Sequence, residues 1–220
     1  MKKNTRYFLS EGALIVFSIL LALGANEWRQ RAAAETKERK AAAAIHAELS
    51  ANLALFEDLP EYHGDIAAAL REEIAAIRAS DAPDNRAPID IFMRIETLRP
   101  TIIMKQFPED VAWDLARQRG VAARFDYDLA SGLSRAYSSQ RDGVVPIIIN
   151  ISEIMNAPAM IEPGNQASAL WPLASLFSEL AAREITLISY YEQQLTALEI
   201  EYPDLVQESD EDDVIFTPVD

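Results

Sequence analysis

A chain of 220 residues, half of them apolar, is long enough for one core-bearing domain. Much of that apolar share is alanine, which favours helix but buries little area, so closely packed helices around a thin core are expected. Cysteine is absent, which excludes disulfides, thiolate metal sites and a cysteine nucleophile. The net charge of −15 falls almost wholly after residue 28, and an acidic surface of this kind repels nucleic acid, so no nucleic-acid partner is expected.

The first element lies in "SEGALIVFSILLALGANEWRQ", an apolar run from Tyr7 to Trp28 interrupted by Glu11 and closed by Asn26 and Glu27. At about 1.5 Å per residue this run spans roughly 33 Å, enough for a hydrocarbon core of about 30 Å. Tyr7 and Phe8 at one end and Trp28 at the other suit the headgroup layers. A cleaved signal peptide is the competing reading, with "ALG" before Ala25 as its small-residue site. The helical sequence that follows Asn26 without proline or glycine as far as Leu59 favours an uncleaved anchor. Lys2, Lys3 and Arg6 face Arg29, Arg31, Lys37, Arg39 and Lys40 across the run, so basic residues orient it weakly. The expected arrangement keeps the short N-terminus cytoplasmic and exports the acidic domain. Glu11 lies about one turn inside the anchor, where a carboxylate either snorkels and pairs with Arg6 or Lys3, or makes an intramembrane contact.

Glu11, Leu21, Ala22, Leu23, Asn26 and Trp28 form a glutamate, apolar stretch, Leu-Ala-Leu, Asn-x-Trp pattern. In this the chain resembles a domain-of-unknown-function family of uncharacterised bacterial single-pass membrane proteins. A second block, "WDLARQRGVAARFDYDLASGLSRAYSSQ", is similar to a segment of some of those proteins through Trp113, Gly120, Asp126, Tyr127, Leu129 and Tyr137. The resemblance implies location and architecture and brings no activity with it.

Beyond the anchor, residues 27 to 59 read as a helix running straight out of the bilayer. Ile45, Leu49, Phe56 and Leu59 share one stripe with Asn52, to pack on later helices or along a dimer seam. "LPEYHGD" is expected to end this helix at Pro60 and Gly64, with Asp65 capping a second that buries Ile66, Leu70, Ile74 and Ile77. "SDAPDNRAP" is a loop, and Ile91, Ile95 and Leu98 fit a short helix better than a strand. Pro108 suits a first helical position, Val111, Trp113 and Leu115 supply apolar surface, and Gly120 ends that helix. Asp126 then caps a helix carrying Leu129, Leu133 and Tyr137, making a helical hairpin. "GVVPIIINISEIM" has strand composition but no strand partner, so a helix from Pro146 is expected. Leu173, Phe177, Leu180, Leu187, Tyr191, Leu195 and Leu198 mark a long helix, expected to lie antiparallel to the 29–59 helix as the spine of the domain. From Glu201 on, eight acids, no base and two prolines indicate a disordered tail, as a solubiliser or as a docking peptide built on Val214, Ile215 and Phe216.

The chain thus divides into a tail and anchor (1–28), a helical extramembrane domain (29–202) and an acidic tail (203–220). His46 and His63 lack ligands at helical spacing and are expected at the surface or at helix ends, so no metal site is predicted. Asp126 and Asp128 read as capping sequence rather than a metal pair. No glycine-rich phosphate loop and no nucleophile elbow occurs, and Ser131, Ser138 and Ser139 have no nearby histidine to serve as base. The expectation is an all-α, non-enzymatic inner-membrane protein without cofactor or evident small-molecule substrate. It binds or scaffolds a membrane-protein partner or a second copy, or serves as an auxiliary subunit of an ion-driven or transport complex through Glu11. The candidate contacts with the bilayer or a partner are Glu11, Asn26 and Trp28.

Overall fold

The computed structural model describes residues 2–80 and 85–205, with side chains from residue 17 onward. Seven α-helices run through them, and no strand occurs among the described residues. The first, α1 (Lys2–Phe56), extends over 55 residues of mostly alanine, leucine and charged helix formers without a proline. Its expected stripe is the buried one: Ile45, Leu49, Asn52 and Phe56 are all closed to solvent.

The break after α1 falls earlier than expected. A turn at Glu57 and Asp58 leads directly into α2 (Leu59–Ala79), which runs through Gly64 and Asp65. Pro60 sits in the first turn of α2, where its missing N–H has no intrahelical partner to lose. Leu59, Tyr62, His63 and Ile66 are buried on one stripe, and that burial outweighs the roughly 1 kcal/mol that a helical glycine costs.

The last helix, α7 (Gln166–Glu201), is 36 residues long and is the axis of the domain. Ala169, Leu173, Phe177, Leu180, Glu184, Leu187, Tyr191 and Leu198 are buried along it at spacings of three and four. Pairings show its direction: His46 meets Glu199, Phe56 meets Tyr191, His63 meets Glu184 and Arg78 meets Trp171. Both α1 and α2 are therefore antiparallel to α7, and α2 takes over where α1 ends. The expected α1–α7 spine exists, but α2 covers the larger part of α7.

A second rod flanks the axis. It comprises α5 (Tyr127–Ser138), a π-helical turn (Ser139–Val144) and α6 (Val145–Met155), joined without a break. Phe125 meets Tyr202 and the Gln140 amide meets Tyr191, so this rod also runs antiparallel to α7. Asp126 caps α5 as expected, its carboxylate accepting the Asp128 N–H at 2.8 Å.

Between the rods, α3 (Pro88–Phe92) is a short helix that buries Ile91 and Phe92, with Ile95 buried in the turns after it. The next helix, α4 (Val111–Gln118), departs from expectation in two ways. Pro108 lies before the helix rather than in its first turn, because the Pro108 and Glu109 carbonyls are taken by buried amides. Val111 and Leu115 are exposed, whereas Trp113 and Ala116 are buried. Of the expected hairpin the pairing is slight: α4 packs mainly on α1 and α5 on α7, and Trp113 near the start of α4 stacks on Tyr137 near the end of α5 at 5.8 Å. The end of α4 is as expected. Gly120 at φ +69° lets its own N–H reach the Arg117 carbonyl and the Val121 N–H reach Ala116.

Among the described residues no helix is long and apolar enough to cross a membrane. The anchor expected over Tyr7 to Trp28 is only partly covered, since side chains up to residue 16 lie outside the described residues, as does the tail beyond residue 205. From residue 17 to residue 33 every described side chain of α1 is exposed, and the first buried residue is Ala42.

Candidate functional site

The interior is built mainly of leucine and isoleucine, and three polar constellations are set into it. The first is Glu48 on α1. Its Oε2 accepts the Ala112 N–H at 2.8 Å, and its Oε1 accepts the Trp113 N–H at 3.5 Å and the Tyr137 hydroxyl at 2.8 Å. Asp110, the residue at the N-cap position of α4, makes no side-chain capping bond, so the helix is capped by a carboxylate from another element. Burial, then the charge and hydrogen bond of Glu48, push the Tyr137 hydroxyl far above its ordinary range.

The second is a pair of amides. Asn52 Nδ2 donates to the Glu109 carbonyl at 2.7 Å while Asn52 Oδ1 accepts the Glu109 N–H at 2.9 Å, so one side chain takes up both backbone polar groups of that residue. Gln140, in the π-helical turn, donates to the Pro108 carbonyl at 3.1 Å and accepts the Tyr191 hydroxyl. The wide turn places this amide on the buried side of the second rod, within reach of both other rods.

The third is His63 on α2 with Glu184 on α7. Both side chains are 0% exposed. The Glu184 oxygens lie 3.0 and 2.9 Å from His63 Nδ1, and Nε2 lies 2.9 Å from the Ile103 carbonyl. A carbonyl only accepts, so Nε2 carries a hydrogen, and a second proton lies between Nδ1 and the carboxylate. Together the two side chains are neutral. Burial raises the Glu184 carboxyl above its ordinary value, and the His63 hydrogen bond and charge pull it partly back. His63 is therefore interior, in contrast to the surface or helix-end position expected for it. His46 does lie near the surface, paired with Glu199 at 3.1 Å.

Above this pair, the segment after α3 walls two clefts. One, of about 440 Å³, is bounded by Leu55, Asp58, Tyr62, Arg99 and Lys105. The other, of about 770 Å³, opens between Ile89, Ser152, Met155 and Ile161. Pro100, Thr101, Ile103 and Met104 belong to both walls. Arg99 lies over the Tyr62 ring at 4.3 Å and is paired with Asp58.

The contact residues expected from sequence are not gathered into any of these. Asn26 is exposed and Trp28 is 73% exposed on the projecting part of α1, and the Glu11 side chain lies outside the described residues. No group of three or more potential metal ligands occurs among the described residues. His63 and Glu184 were legible in principle, since each occupies a core position of an otherwise apolar repeat: Leu59, His63, Ile66, Leu70 in α2 and Leu180, Glu184, Leu187, Tyr191 in α7. The fold and this interior define an all-helical protein with a projecting N-terminal helix and a domain organised around buried polar pairs. Comparison with protein-family models, curated proteins and solved structures finds no match.

Proposed function

We propose that this is a single-pass bacterial inner-membrane protein whose helical domain stands off the bilayer on α1 and works by binding or scaffolding a partner, with the N-terminus cytoplasmic and the domain periplasmic. One observation carries the reading. Phe17, Ile19, Leu20, Leu21 and Leu23 are between 54 and 63% exposed on the projecting part of α1. Five large exposed apolar side chains on one short stretch of helix call for an apolar surrounding, and the sequence from Gly12 to Ala25 carries no charge. Binding is favoured over catalysis because the described histidines are already engaged: His63 by Glu184 and Ile103, His46 by Glu199.

Alkaline-carbonate extraction of membranes tests the anchor, with the full chain expected to stay in the pellet. Proteinase treatment of spheroplasts tests the orientation, with the domain expected to be digested. Release by carbonate overturns the anchor, and protection in intact spheroplasts with digestion after lysis overturns the orientation.

A further inference from the structure

Residues 100–107 join α3 to α4 without regular structure. Among the described residues they make one hydrogen bond to the rest of the protein, from His63 Nε2 to the Ile103 carbonyl. The donor is closed to solvent and bonded on its other side to an equally buried carboxylate. The backbone held in this way is the wall shared by both clefts.

We propose that His63 and Glu184 form a proton-operated latch on residues 100–107: with its shared proton the pair ties the segment down, and on losing that proton it releases the wall between the clefts. A neutral imidazole has one N–H for two acceptors. If that hydrogen stays on Nε2, the Nδ1 lone pair faces both oxygens of a buried carboxylate at 2.9 to 3.0 Å. If it moves to Nδ1, the Nε2 lone pair faces only the dipole of one carbonyl, on a segment with no other hydrogen bond to oppose its departure. The second repulsion is the weaker and the more easily relieved, so the Ile103 contact is the one that breaks. The proton passes to solvent, and a net negative charge remains on the pair.

The surroundings leave this choice to the pair itself. From α2 it is faced by Tyr62, with the rings 5.3 Å apart, and beyond that ring by Arg99, which is paired with Asp58. From α7 it is faced by Phe177 and behind that by Phe92 of α3, both apolar. Burial raises the Glu184 carboxyl and His63 draws it back. The latch does not depend on the membrane reading.

Pulsed trypsin treatment of the full chain in detergent, from about pH 7 to about pH 9.5, tests it, with the rate of cleavage after the exposed Lys105 corrected against a peptide of the same sequence, because a segment must leave the fold to enter a protease. Cleavage after Lys105 is expected to speed up about tenfold in the wild type, the loss of one hydrogen bond from a charged donor. Glu184→Gln removes the acidic proton site and lets an amide N–H donate to Nδ1 while Nε2–H keeps Ile103, so its cleavage rate is expected to stay flat. A wild type that stays flat, or a folded Glu184→Gln chain that follows the wild type, overturns the latch. If the variant fails to fold, the wild type alone decides by NMR. The His63 ring nitrogens or the Glu184 carboxyl carbon must shift over the pH range in which cleavage speeds up, and signals that stay fixed there overturn the proposal.

Discussion

At the scale of single residues, Glu48 has the most to lose. One carboxylate caps α4 and receives the Tyr137 hydroxyl, so its removal leaves three donors without their acceptor. Glu48→Ala is expected to lower the unfolding free energy by about 2 to 3 kcal/mol, the sum of a lost cap and a lost charged hydrogen bond. Urea unfolding measures this, and Tyr137→Phe, which removes only the hydroxyl bond, should cost about 1 kcal/mol. Gly132 runs the other way. A Cβ there would fall 2.3 Å from Oε1 of Gln194, which is the end of a flexible side chain, and that Oε1 is buried without a hydrogen-bond partner. Gly132→Ala displaces the amide toward water and replaces a mid-helix glycine, so it is expected to stabilise by up to about 1 kcal/mol, seen as a raised Tm. A lowered Tm would mean that the Gln194 side chain is packed too firmly to move.

At the scale of elements, the π-helical turn sets the rotation of α6 relative to α5. It takes about one residue more per turn than an α-helix and so absorbs that residue without turning α6, whereas inserting a further alanine after Gly143 would turn α6 by about 100°. Ile147, Ile148 and Ile151 would leave their buried positions. The expected cost is at least about 3 kcal/mol in chemical unfolding, because apolar side chains of this size are worth roughly 1.5 to 3 kcal/mol each. The turn was not legible in the sequence. No residue of 139–144 marks a wider turn by its type, and what holds the turn wide is the burial of Gln140 between Asn52, Pro108 and Tyr191, residues far away in the chain. The same holds for α4, whose face and starting point were misread: Pro108 looks like a helix start until Gln140 and Asn52 claim the carbonyls beside it. Where a signal is local it read correctly. Asp126 caps α5, Gly120 ends α4, and the stripes of α1 and α7 are buried as their spacing requires.

At the scale of the whole molecule, the described contacts of α1 with the domain lie in its second half: Glu38 bonds Arg124 and Tyr202, and among the described residues burial begins at Ala42. A chain starting at residue 29 is expected to melt within about 2 °C of the full chain, as followed by circular dichroism. The domain is also expected to be alkali-labile. The Tyr137 and Tyr191 hydroxyls are held above their ordinary range, first by burial and then by the charge of Glu48. Groups raised in the folded state stabilise it fully below their unfolded value of about 10, and that stability is lost as pH climbs beyond it. The urea midpoint should therefore fall steeply above about pH 10, and Tyr137→Phe should flatten the fall.

Helix content, the buried stripes, the Asp126 cap, the Gly120 stop and the apolar run near the N-terminus follow from the sequence alone, because each depends on residues within a turn or two of one another. The tertiary structure decided which helix α7 lies on, that α2 continues through its proline and glycine, and that His63 and Glu184 meet. These depend on the burial of particular faces and on polar groups that must find acceptors once water is excluded, and in the chain those partners lie tens to more than a hundred residues apart.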